Sequence, residues 1–163
     1  MIILGIDPGT ATTGYGIIEI AKSNQPKLVD FGVIATDKKL SDAERLKILA
    51  DDLSNIIEKH KPAAVGIEKI FFTTNQKTII TVTQARGLTL YICEKNKIPI
   101  YEYTPLQVKN FICGYGKAEK KQVQYMVQKT FNLKKVPKPD DAADALAVAM
   151  CAGFFHSKTR HIK

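Results

Sequence analysis

The sequence predicts an α/β fold, a mixed five-stranded sheet with helices on both faces. Three observations carry that expectation. The chain opens with strand-like runs joined by turns too short for a crossover; the hydrophobic period then changes from two to that of a helix; and an apolar run follows that helix directly.

The opening runs are MIILGID (residues 1–7), GYGIIEI (14–20) after the turn PGTATT, and KLVDFGVIAT (27–36) after SNQP, and short turns make them an antiparallel meander. From Ser41 the apolar positions Leu46, Leu49, Leu53, Ile56 and Ile57 mark one helical face. Ser41 with Glu44 three residues on forms a capping-box signature. AAVGIE (63–68) is the fourth strand, reached by a helical crossover and so parallel to the first. A helix over about 76–96 is apolar on more than one side, through Ile79, Ile80, Val82, Leu88, Leu90 and Ile92. One side should cover the sheet and the other invites a partner subunit. IPIYEY (98–103) is the fifth strand, and helices follow around 105–112, 118–131 and 140–155.

A length of 163 residues suits one domain, read as 1–156 with a short basic tail at 157–163. Lys and Arg number 24 against 16 Asp and Glu, a formal charge of +8 that favours a polyanionic partner such as nucleic acid. Cys93, Cys113 and Cys151 are odd in number, widely spaced and set in apolar stretches, the pattern of reduced, buried thiols and a cytoplasmic protein. His60, His156 and His161 lack ligand spacing and suit solvated or packing roles. The absence of a basic leader and of a bilayer-length apolar run points to neither secretion nor a membrane.

Two strands end alike, LGID at 4–7 and VGIE at 65–68. As parallel neighbours they would place Asp7 and Glu68 side by side at the carboxyl edge of the sheet, where open α/β folds bind ligands. Side chains alternate along a strand, so Gly5 and Gly66 lie on the same face as the acids and leave room for something to pack closely. The Ala-rich helix DDAADALAVAMCAGFF (140–155) is the candidate, with Asp141 and Asp144 on one face of its first turn. Asp140, following Pro139, fits a helix cap. Four converging carboxylates, Asp7, Glu68, Asp141 and Asp144, require a counter-charge. An oxygen-only donor set suits Mg²⁺ or Mn²⁺, and two such ions can drive phosphodiester hydrolysis. Lys109, Lys117, Lys120 and Lys121 surround GYGKAEKKQ (114–122) and would hold phosphates that the acids alone repel. Phe71 and Phe72, just beyond Glu68, either plug the core or meet DNA bases.

Five blocks in order, GIDPGTATTGYGII, AAVGIEKIFF, QARG, TPLQVKNFICGYGKAEKKQVQ and DAADALAVA, span nearly the whole chain and resemble the bacterial RuvC family of Holliday junction resolvases. The resemblance implies a ribonuclease H-like fold, a homodimer, and paired Mg²⁺-dependent nicks at a four-way DNA junction. It also implies cooperation with the RuvA and RuvB branch-migration proteins. The family's four acids match Asp7, Glu68, Asp141 and Asp144; its DNA lysines match Lys109 and Lys120, and its base-contacting Phe matches Phe71. The D-A-A-D spacing selects Asp141 over Asp140. Three rivals stand beside this reading. A YqgF-type nuclease lacks the GIE strand and DAAD helix; a phosphate-binding loop of the sugar-kinase type needs a second related domain; a non-catalytic basic DNA-binding module would not depend on the acids.

Overall fold

Alternation along the first strand sets the architecture. In the computed structural model, which describes residues 1–21, 25–69 and 76–160, β1 (Ile2–Asp7) sits at the centre of a five-stranded sheet. It sends Leu4 and Ile6 to one face and Ile3, Gly5 and Asp7 to the other. The strand order is β3-β2-β1-β4-β5, with β2 (Thr12–Ile20), β3 (Pro26–Ala35), β4 (Ala64–Glu68) and β5 (Ile100–Tyr103). β1, β2 and β3 form the expected antiparallel meander, and β1, β4 and β5 run parallel.

The helices divide between the faces. α1 (Asp42–His60) and α2 (Gln76–Lys95) cover Leu4, Ile6, Ile17, Val65 and Ile67 with Leu49, Leu53, Ile57, Ala85 and Ile92. α3 (Pro105–Cys113), α4 (Lys120–Thr130) and α5 (Asp140–Arg160) lie on the opposite face, with α5 packed across β2, β1 and β4. α1 starts where its capping box places it: the Ser41 hydroxyl accepts from Glu44 N at 3.3 Å while a Glu44 carboxylate oxygen accepts from Ser41 N at 2.8 Å.

Several boundaries move from their expected places. β2 begins at Thr12 because its pairing with β3 continues to Thr12 opposite Ala35. β5 begins only at Ile100, after Pro99, which has no amide hydrogen to give a ladder. α4 begins at Lys120 because Glu119 and Gln122 close a capping box ahead of it. Cys93 and Cys151 are buried, but Cys113 is only half-buried, because the last turn of α3 borders a surface cavity. His60 lies 3.4 Å from an Asp30 carboxylate oxygen, and His156 is hydrogen-bonded to the Tyr101 hydroxyl at 2.7 Å, both packing roles. His161, Phe71 and Phe72 lie outside the described residues. No helix among the described residues is long and apolar enough to cross a membrane.

Candidate active site

The β1–β4 register pairs Gly5 with Gly66 and Ile6 with Ile67, so the next residues, Asp7 and Glu68, end neighbouring parallel strands at one edge of the sheet. The glycines beneath them are there for α5. A Cβ on Gly5 would stand 2.1 Å from the Ala145 carbonyl oxygen, and one on Gly66 would stand 2.8 Å from Ala152 Cβ. Any larger side chain would lift the helix off the sheet. On β2, Gly14 and Gly16 extend the same track, with a Cβ on Gly14 falling 2.0 Å from the Asp141 carbonyl oxygen. This contact seats the first turn of α5 over the end of β1 and thereby brings Asp141 and Asp144 to Asp7 and Glu68. Gly14 lay in view in GYGIIEI, but its role depends on which strand α5 crosses, and the strand pattern alone does not give that.

The electrostatics register the convergence. Burial, then the charges of Glu68, Asp144 and Asp141, push the Asp7 carboxyl up to about 8. Burial and Asp144 push Glu68 up to about 7 against the pull of Lys120 and Lys109. Asp144 is raised too, chiefly by burial, even though Lys120 lies against it. The Lys120 ammonium approaches Asp144 Oδ2 at 2.9 Å and Asp140 Oδ2 at 3.7 Å. Burial pulls the Lys120 ammonium down, but the hydrogen bond to Asp144 and the charges of Asp144, Asp140 and Asp141 outweigh it, and the net direction is up. Asp140, expected to cap the helix, ion-pairs with Lys138 at 2.6 Å as well as with Lys120, and so helps to hold that lysine in place.

A cavity of about 230 Å³ opens between Glu68, Lys109, Lys120 and Asp144, floored by Val108, Val123, Ala147 and Val148. Of the four lysines singled out in the sequence, Lys109 and Lys120 therefore stand with the acids. Lys117 is exposed on the loop before α4, and Lys121 lines a different cavity with Tyr115, Tyr125 and Met126.

Four carboxyl groups, two of them raised to about 8 and about 7 by burial and by one another, are the donor set that a hard divalent cation satisfies. Lys120 supplies a single positive charge to that set. Among the described residues no three carboxylates lie close enough to share one ion as they stand. The residues fit such an ion by chemistry, with Asp7, Glu68, Asp141 and Asp144 as its candidate ligands.

The turn that lets β2 start without covering Asp7 is pinned by buried threonines. The Thr13 hydroxyl clasps both the carbonyl and the amide of Gly9, at 2.5 and 3.3 Å. The Thr10 hydroxyl donates to the Thr81 carbonyl on α2. Sequence reasoning saw a turn here but not these partners; the sole signal was the presence of three threonines in PGTATT.

Comparison with known proteins agrees with the geometry. Residues 3–152 match the family model described as crossover junction endodeoxyribonuclease RuvC. A Fusobacterium nucleatum protein of that name is 54% identical over 150 residues, covering 92% of this chain and 78% of its relative. The solved structure of Thermus thermophilus RuvC superposes with a TM-score of 0.88 at 30% identity, covering 98% of this chain and 97% of that one. The same protein in complex with a Holliday junction substrate gives a TM-score of 0.87 at 28% identity, covering 97% and 96%. The fold is ribonuclease H-like, as expected. From the sheet edge outward, the site and the sequence agree, and the chain belongs to the RuvC family of crossover junction endodeoxyribonucleases, a metal-dependent nuclease family.

Proposed function

We propose that this chain resolves Holliday junctions by paired, symmetric nicks in recombination and DNA repair, with Asp7, Glu68, Asp141 and Asp144 as the ligands of its metal. The single observation that carries the assignment of these residues is the register that ends two neighbouring strands in Asp7 and Glu68 beneath the first turn of α5, which bears Asp141 and Asp144. Two Mg²⁺ ions, or Mn²⁺, bound there would supply the charge to activate a water and to stabilise the leaving oxygen of a phosphodiester.

The chain's own groups do the rest. Lys109 and Lys120, on the wall of the cavity beside Glu68 and Asp144, hold the scissile phosphate against acids that would otherwise repel it. Val108, Val123, Ala147 and Val148 keep the cavity floor apolar, which strengthens every charge interaction above it. Lys117 and Lys121, both exposed, extend the positive surface to more distant phosphates, and Phe71 is assigned to DNA bases by family resemblance, with Phe72 beside it by its position just beyond Glu68.

Two symmetric nicks need two sites, and a second copy of this chain supplies the other. Support for this homodimer comes from the outward stripe of α2, where Ile80, Thr83, Gln84, Gly87 and Tyr91 recur at helical spacing, all exposed. The space around Gly87 is open, which would let another helix approach closely. RuvA and RuvB are its proposed partners and the cytoplasm its proposed location, both on family grounds.

The test is cleavage of a labelled four-way junction, against linear duplex and RNA, with Mg²⁺ or EDTA, for wild type and Asp7→Asn. Symmetric, metal-dependent nicks confined to the junction, lost in Asp7→Asn with binding retained, are expected. Cleavage by Asp7→Asn would remove Asp7 from the site; cutting of RNA alone would replace the junction as substrate.

A further inference from the structure

We infer that α2 braces the site, and that Thr10 is a positioning residue through which the brace holds the turn beside Asp7. This rests on the reading of Asp7 as a metal ligand and extends it to residues outside the acid cluster. Thr10 is 4% exposed, three residues beyond Asp7 in sequence. Its hydroxyl donates to the Thr81 carbonyl in α2, and its own carbonyl accepts from the Thr36 hydroxyl at 2.7 Å. The Thr36 hydroxyl in turn accepts from Arg45 Nε on α1 at 2.9 Å, and the Thr36 amide donates to the Ala11 carbonyl at 3.0 Å. The turn is thus tied to both helices of the face opposite α5.

α2 is fastened a second time on the other side of the site. Arg86 of α2 ion-pairs with Glu102 of β5, and Glu102 is the register partner of Ile67, the residue before Glu68. One helix therefore bonds to the turn that follows Asp7 and to the strand that flanks Glu68. Those two carboxyls come from separate strands, and their separation is fixed only as firmly as the strand ends are. A hydroxyl that donates to a backbone carbonyl with its residue almost wholly buried is directional, which the packing of an isosteric valine would not be.

The experiment compares Thr10→Val, which keeps the shape and loses the donor, with Thr10→Ser, which keeps the donor. Three quantities are read: junction binding in EDTA, the Mn²⁺ concentration giving half the maximal nicking rate, and amide hydrogen exchange of residues 8–14 and 79–85 in the metal-free protein. Thr10→Val is expected to bind the junction like wild type, to nick about tenfold more slowly at limiting Mn²⁺, to need more Mn²⁺, and to exchange faster in both segments. Thr10→Ser is expected to restore all of these. Wild-type exchange and metal dependence in Thr10→Val overturn the proposal, as does a Thr10→Ser as impaired as Thr10→Val, which would leave only methyl packing. Should Thr10→Val not fold, Glu102→Gln decides. Faster exchange over 79–85 and a raised Mn²⁺ requirement support the brace, and wild-type behaviour overturns it. Asp7→Asn is measured separately. If it still cuts, the metal-ligand reading fails while the exchange data continue to judge Thr10; if it is inactive and Thr10→Val is normal, only the brace fails.

Discussion

The two faces of the sheet are built from the same strands and do different work. Toward α1 and α2, β1 and β4 present Leu4, Ile6, Val65 and Ile67, all fully buried branched side chains that hold the helices at ordinary packing distance. Toward α5 the same strands present Gly5, Ala64 and Gly66 and then end in Asp7 and Glu68. There the helix backbone rests almost on the sheet backbone, which is how acids from a helix reach acids from two strands. The first face supplies stability that many residues share, whereas the second supplies a geometry that a single methyl group can destroy.

The largest expected effect tests that division directly. Gly5→Ala would place its methyl 2.1 Å from the Ala145 carbonyl oxygen and 2.4 Å from Ala149 N, backbone atoms that can yield only if α5 moves. Overpacking of this kind costs roughly 1–3 kcal/mol, but the displaced Asp141 and Asp144 should lower junction nicking about 100-fold or more. Leu4→Ala, one residue away on the other face, should cost about 2–5 kcal/mol through the cavity it leaves, while its folded fraction nicks at the wild-type rate. Nicking that falls in Leu4→Ala as it does in Gly5→Ala would erase the distinction between the faces.

Next in size is a pH effect confined to the acid face. In the unfolded chain the Asp7 carboxyl titrates near its ordinary value of 3.8, and in the metal-free fold it holds its proton up to about 8. Between those values the folded protein binds more protons than the unfolded chain, so stability falls as pH rises from about 4 to about 8; Glu68 adds a parallel loss ending at about 7. Each pH unit of displacement is worth about 1.4 kcal/mol, and allowing half for solvent reaching a half-buried carboxyl leaves roughly 3 kcal/mol from Asp7. Melting in EDTA should therefore drop between pH 5 and pH 8, and Mn²⁺ should raise the melting temperature more at pH 8 than at pH 5. A metal-free melting temperature that climbs over that range would mean that the acids do not face one another.

Much of this was readable in the sequence, and the unread part has a physical pattern. The antiparallel meander, the parallel pairing of LGID with VGIE, and the small residues beneath both acids follow from alternation and connection length, which are local rules. The Ala-rich helix identified itself by being apolar all round. Contacts set by long-range docking were not readable. Thr10 meets Thr81 across 71 positions, and Lys120 and Lys121 are adjacent in sequence yet stand with different neighbours. A charge run shows that lysines are near one another, but the rotation of α4 decides which of them meets an acid. Asp140 shows both sides of this: its place in the first turn of α5 and its pairing with Lys138 two residues before it are local, whereas its longer contact with Lys120 comes from another helix.

Lys120→Gln sharpens the comparison from the surface inward. Asp144 would lose its nearest positive group and rise further in the metal-free protein, while the junction would lose one phosphate contact. Junction binding titrated with salt should show a slope smaller by about one counterion. An unchanged slope would assign Lys120 to the acids alone.

The smallest effect belongs to the stabilising face and should stay there. Ser41 caps α1 by accepting from Glu44 N, with Glu44 returning the bond to Ser41 N, and both residues are exposed on the helix that covers the face opposite α5. Ser41→Ala should cost about 1 kcal/mol, visible as a fall of a few degrees in melting temperature at every pH where Glu44 is ionised. The Ser41 hydrogen bonds hold that carboxyl below its ordinary range, so this contribution is present at neutral pH and lost as pH falls through the carboxylate region, opposite in sign to the effect of Asp7. Junction nicking should not change. A lowered nicking rate in Ser41→Ala would mean that the frayed first turn of α1 is felt at the turn after Asp7, through Arg45 and Thr36, and the two faces would then be coupled rather than separate.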